Sequence, residues 1–266
     1  MLLTLASTHH DPPGRLIPQL RRVLPELVGH FGAIAVRATQ GTLPEAVALL
    51  EAAGALVRRG PTDSALLLGR ARRDALALAL ETGADALLFC DFDRILHWAE
   101  QYPAELAGVI QDIPRRDVTV LGRTRRAFDT HPRVQRDTEA IVNAVYADVS
   151  GHPWDVTAAA RGLSRRAAAA ILGGCPEETI GTDVAWPLFA QRAGLTLGYI
   201  QTEGLEFETA DRFADEIAAA GGLERWMAHL DADPRRWAAR LEFARVEVEA
   251  ALPYTTPPGT RPGGGG

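Results

Sequence analysis

The chain has 266 residues, 47% of them hydrophobic and 23% charged, enough for one large or two small domains with a sizeable core. Its net charge of −6 and pI near 5.7 argue against a nucleic-acid-binding surface. All 28 residues counted as lysine plus arginine are arginine, which excludes chemistry that needs a lysine: Schiff-base aldolases, pyridoxal-phosphate enzymes, P-loop NTPases and protein kinases.

In chain order, a first strand is predicted over residues 2–6, ending in the polar loop 7–14. A helix follows over 15–28, with apolar residues at Leu16, Leu20, Val23, Leu24 and Leu27. Strands at 33–38 and 55–58 flank an amphipathic helix at 43–53. A helix rich in Ala and Leu spans 69–81, and after the Thr82-Gly83 break a short continuous apolar run, 86–90, reads as a strand covered on both faces. The second half offers a strand at 118–121, an arginine-rich loop at 122–133, helices at 136–146, 165–172 and 182–193, and a strand at 197–201. Pro187 is disruptive within the third of these helices. Helices at 210–220 and 223–252 close the fold, the last broken at Asp233-Pro234, and the Pro/Gly-rich segment 253–266 reads as disordered.

Strands alternating with helices imply an α/β fold, a mainly parallel central sheet covered by helices, which binds ligands at the carboxyl ends of its strands. The expected division is a catalytic domain over 1–220, a helical C-terminal extension over 221–252 and the tail. No apolar run approaches the roughly 18 residues of a membrane span, and residues 1–7 are too short for a signal peptide. Cys90 and Cys175 form neither a disulfide framework nor a metal-spaced cluster, and Cys90 reads as a core residue. A soluble, cytoplasmic protein is expected.

The run into Asp91 and Asp93 carries the chemistry. Side chains two apart on extended backbone point the same way, so both carboxylates converge on one cation or ligand. Hard anionic oxygens suit Mg²⁺ or Mn²⁺ carrying a phosphate. Asp-x-Asp also suits a plain strand-ending turn. His9 and His10 follow the first strand, where one of them is placed for a ligand contact, and Arg70, at a helix start, is placed for phosphate. The loop with Arg123, near His131 and Trp154, suits an anionic acceptor or a diphosphate, and equally a plain solvated charge-rich loop.

Gly69-Arg70-Ala71-Arg72, the Gly83-Ala84-Asp85 turn and the apolar strand ending in Asp91-Phe92-Asp93 together resemble the nucleotide-sugar half of GT-A-fold glycosyltransferases of the family-2 type. Ser7, Thr8, His9 and Asp11 are similar to the first nucleotide loop, and Ile180-Gly181-Thr182-Asp183 resembles the later acidic motif. The resemblance implies a nucleotide-diphosphate sugar bound by Ser7, Thr8, His9, Asp11, Arg70, Asp91 and Arg123. It also implies a divalent metal on Asp91 and Asp93, and Asp183 as catalytic base toward an unknown acceptor. Asp183 equally suits a helix N-cap. The family's late metal-binding histidine has no counterpart in 199–209, where Glu203 is the candidate third ligand, although three glutamates in so short a segment equally suit solvated surface. Arg94, directly after Asp93, competes with a metal, binds phosphate or pairs with an aspartate. A haloacid-dehalogenase-like phosphatase, which also uses Asp-x-Asp, and a non-catalytic nucleotide- or sugar-binding module of the same fold are the alternatives. The helical segment 223–252 offers a surface for a homodimer.

Overall fold

The computed structural model of the chain describes residues 1–62 and 64–255. Among these, seven strands form one sheet: Leu3–His9 (β1), Ala33–Thr39 (β2), Leu56–Gly60 (β3), Ala86–Cys90 (β4), Val118–Arg123 (β5), Ala160–Ser164 (β6) and Leu197–Thr202 (β7). Their order is β3-β2-β1-β4-β6-β5-β7, and every pairing is parallel except those of β6 with β4 and β5. This is the mainly parallel α/β sheet that the strand–helix alternation implies.

Two layers of helix cover it. On one face lie Ile17–His30 (α1), Pro44–Ala52 (α2), Phe92–Gln101 (α4) and Pro103–Asp112 (α5); on the other lie Leu68–Glu81 (α3), Arg165–Gly174 (α8) and Thr182–Arg192 (α9). β4 is buried at all five positions because both neighbours and both helical layers enclose it, which is why its sequence is apolar without alternation. Arg125–Asp129 (α6) and Arg133–Ser150 (α7) fill the arginine-rich region. The C-terminal helices are Ala214–Ala220 (α10), Leu223–Ala232 (α11) and Pro234–Glu249 (α12), and α12 packs on α7 and α9. The break falls at Asp233, whose side chain accepts from the Arg235 N–H at 3.0 Å and starts α12 as its N-cap.

Several elements differ from the sequence expectation. β1 continues to His9, so Ser7, Thr8 and His9 are strand residues rather than loop. α4 opens at Phe92, so Asp91 is extended (φ −60°, ψ 143°) while Asp93 stands in the first turn of a helix; the two carboxylates are not two positions of one extended segment. The helix forms there because Phe92, Ile95, Leu96 and Ala99 repeat with helical spacing and are all buried. β6 lacks a strand signature, being built around Arg161 and Gly162 between Ala160 and Leu163. Leu252–Tyr254 forms a 3-10 turn with the Arg192 guanidinium 4.9 Å from the Tyr254 ring centre, so the expected tail does not begin at 253; its remainder from 256 lies outside the described residues.

Pro187 is the sixth residue of α9 and offers no N–H to the carbonyl of Asp183 four residues back. Arg161 Nη2 donates to that carbonyl at 2.9 Å instead. The helix therefore tolerates its proline through a buried arginine from β6.

Candidate functional site

The register of the central strands assembles the site. Ala6 pairs with Phe89 across β1 and β4, which brings Ser7 beside Cys90 and Thr8 beside Asp91. Ser7 Oγ donates to the Cys90 carbonyl at 2.6 Å, and Thr8 Oγ1 donates to Asp91 Oδ1 at 2.6 Å. Thr8, His9, His10, Asp91, Asp93 and Arg212 meet around one cavity of about 170 Å³, closed on its apolar side by Leu16 and Leu68. It lies at the carboxyl ends of β1 and β4, where open α/β sheets place their ligands.

Each charged group there has a counterpart. Asp91 Oδ2 accepts from Arg72 Nη2 at 3.1 Å, and the same guanidinium reaches Asp183 Oδ1 through Nη1 at 2.9 Å. Arg72 is only 2% exposed; burial opposes its charge, but Asp183 and Asp91 outweigh that and hold it protonated. Arg212 forms an ion pair with Asp93. Arg94 turns away to Glu208 at 3.6 Å.

His9 is the exception. It is 3% exposed, its Nε2 has no hydrogen-bond partner, and the Phe92 ring meets it edge-on with centroids 4.9 Å apart. Burial, opposed by Asp11 and reinforced by Arg212 and His10, lowers its pKa to about 4, so the imidazole is neutral at pH 7. A buried polar atom without a partner carries a desolvation cost that a bound polar ligand would relieve.

The other candidate residues fall elsewhere. Asp11 holds the turn that leads into α1, accepting from the backbone N–H groups of Arg15 and Leu16 at 3.0 and 2.8 Å. Arg123 is buried and paired with Asp155 and Glu139 at 2.7 Å each, and it lines a different cavity, with Trp154 and Tyr199, away from Asp91 and Asp93. Arg70 pairs with Glu178 at 2.8 Å beside a different cavity. Glu203 is bound by Arg126 and does not line the Asp91–Asp93 cavity. Asp183 is 6% exposed and held by Arg72, with Arg161 Nη2 at 3.9 Å from Oδ1; a carboxylate so enclosed fits the anchoring of Arg72 better than proton abstraction from an acceptor.

The donor set bears on the expected divalent ion. Among the described residues no three His, Cys, Asp or Glu side chains are grouped to hold a metal, and both carboxylates of the Asp-x-Asp pair carry a guanidinium. As arranged, these residues do not fit Mg²⁺ or Mn²⁺, which need several oxygen donors free to coordinate.

Arg72 and Arg212 are the two residues that the sequence reading passed over. Arg72 was findable: it shares a helical face with Ala75, Leu76 and Ala79, all buried, whereas Arg70 points outward. Arg212 stands in a 3-10 turn, Glu208–Arg212, whose charged sequence has no period to expose it.

The sheet order and its single antiparallel strand define a GT-A-like fold. Glucosyl-3-phosphoglycerate synthase from Mycobacterium tuberculosis in complex with UDP is similar to this chain with a TM-score of 0.52, at 16% identity over 85% of this chain and 80% of that one. Another structure of that synthase matches with a TM-score of 0.52 at 15% identity, covering 84% and 81%. Its complex with Mn²⁺, UDP-glucose and phosphoglyceric acid gives 0.51 at 15%, covering 85% and 79%. No protein-family model matches the chain, and no curated protein matches it in sequence. No helix of the described residues is long and apolar enough to cross a membrane.

Proposed function

We propose that this chain transfers a glycosyl group from a nucleotide-diphosphate sugar to an acceptor. The observation that carries the reading is the cavity at the ends of β1 and β4, where Thr8, His9, Asp91, Asp93 and Arg212 converge in a GT-A-like fold. Its volume of about 170 Å³ is below the roughly 300 Å³ of a whole small-molecule site, so it suits a fragment of the donor, the ribose or the phosphates. In the transfer, the bond between the sugar C1 and the β-phosphate oxygen breaks, and its electron pair leaves on the nucleoside diphosphate. An acceptor oxygen forms the new bond to C1 and gives up its proton to a base. Positive charge beside the departing diphosphate lowers the barrier. Asp183 acts by holding Arg72, which in turn orients Asp91.

The phosphatase alternative gains no support: the Asp-x-Asp pair follows the fourth strand, and Asp91, the would-be nucleophile, is engaged by Thr8 and Arg72. The test is a calorimetric titration of UDP, GDP, ADP and CDP and their sugar conjugates, followed by assay of donor hydrolysis. Binding of one conjugate, weakened about tenfold or more in Asp91→Asn, is expected. No binding by any of them, with or without Mn²⁺, would overturn the reading. Binding without hydrolysis or transfer would leave a nucleotide-sugar-binding module.

A further inference from the structure

Arg212 sits where two cavities meet. It lines the 170 Å³ cavity with Asp91 and Asp93, and also the neighbouring one of about 630 Å³ between α1, α4 and α10. Its side chain is 29% exposed, far more open than Arg72, and its Nε has no hydrogen-bond partner. The ion pair with Asp93 therefore leaves part of a five-donor fork available. Next to it, His9 Nε2 is enclosed and unpartnered, a second polar atom without a protein partner at the same cavity. A divalent cation entering here would have to displace two guanidinium groups from the carboxylates and would face their repulsion. An anion meets the same two carboxylates, but each is already paired with a guanidinium, and Arg212 can bind phosphate oxygens bidentately while Asp93 holds its orientation.

We propose that Arg212, oriented by Asp93 and assisted by His9, binds the donor's diphosphate directly, so that nucleotide binding by this chain is independent of a divalent metal. The inference rests on the glycosyl-transfer reading and assigns the diphosphate subsite within it. Asp93 becomes a positioning residue for Arg212 instead of a metal ligand.

The test uses the full chain stripped with EDTA and titrated with UDP, GDP, ADP and CDP, in EDTA and again in Mn²⁺. The proposal expects the nucleotide that binds to do so with Kd values within about threefold in the two buffers, and Arg212→Gln to raise both by about tenfold or more. Arg212→Lys keeps the charge but not the fork, and is expected to recover only part of the loss. Asp93→Asn distinguishes the two roles: if Asp93 orients Arg212, the variant weakens nucleotide binding by a similar factor in EDTA and in Mn²⁺, whereas a metal ligand loses only the Mn²⁺-dependent part. Unchanged midpoints in urea unfolding confirm that each variant is folded. Binding that appears only with Mn²⁺ and vanishes in Asp93→Asn would overturn the proposal while leaving the transferase reading intact. Unaltered affinity in Arg212→Gln would also overturn it. Absence of nucleotide binding in both buffers would overturn the two together.

Discussion

Arg72 donates to Asp183 across 2.9 Å at a position where both side chains are almost fully enclosed, and its other terminal nitrogen holds Asp91 at the cavity. One guanidinium thus links the start of α9 to the end of β4. Removing one partner of a buried pair strands the other's charge, which costs about 3–5 kcal/mol.

Arg72→Met is expected to lose about that amount in urea unfolding with an unchanged m value. Asp183→Asn keeps an oxygen for Arg72, and its cost should be nearer 1–3 kcal/mol, roughly that of a weakened buried hydrogen bond. If Asp183 serves the fold and not the proton transfer, Asp183→Asn retains nucleotide affinity and loses stability. A normally stable Asp183→Asn whose donor turnover alone collapses would restore the base assignment.

His9 gives the stability a pH dependence of known sign. Its pKa is about 4 in the fold against 6.5 for a free histidine, so the unfolded chain takes up the proton first as pH falls. The contribution is complete above pH 6.5 and is lost between pH 6.5 and 4, amounting to about 3 kcal/mol. Unfolding midpoints measured across that window should fall more steeply in the wild type than in His9→Asn. Parallel profiles would show that His9 is not held neutral.

The legible part of the fold was the part that burial writes into the sequence. The all-apolar β4 and the helical period of α1 and α3 could be read because each element meets its core on a predictable face. β6 was not legible, because a strand carrying a buried arginine needs the Asp183 carbonyl, 22 residues away, as well as the nearby Val156 carbonyl to satisfy it. At the candidate site the structure brings Thr8, His9, Asp91 and Asp93 around one cavity, since strand ends in parallel sheets converge. The side chains of Ser7, Asp11 and Arg123 make internal contacts, to the Cys90 carbonyl, to the turn before α1 and to Asp155, which depend on residues that local sequence does not bring together.

Gly69 sets how closely α3 approaches the loop before Asp183. A β-carbon there would lie 2.3 Å from the Thr179 carbonyl oxygen and 2.7 Å from that of Glu178, both backbone atoms with little room to move. The Arg70 N–H and the Glu178 carbonyl are joined at 3.1 Å, so the two segments are hydrogen-bonded at the same place. Gly69→Ala should cost about 1–3 kcal/mol, as overpacking does, despite its better helix propensity. Because the shift would also move Arg72 away from Asp91, nucleotide affinity should fall along with stability. A neutral or stabilised Gly69→Ala would mean that the loop yields freely.

Glu247 on α12 produces the opposite pH slope to His9. Burial, with the carboxylates of Asp183 and Glu139 adding and Arg72 and Arg240 opposing, pushes it well above the ordinary carboxylate range. Its folded pKa exceeds its unfolded one, so its stabilisation is fully present below about pH 4.5 and is lost as pH rises through the folded value. Glu247→Gln keeps the shape and removes the proton. The variant should gain on the wild type with rising pH, and the gain should disappear near pH 4.5, as read from the difference in unfolding midpoints. Because α12 packs on α7 and α9, that difference also reports whether the C-terminal helices unfold with the sheet or before it. A constant difference across the whole range would mean that Glu247 is ionised in the fold and that Arg72 or Arg240 carries its charge.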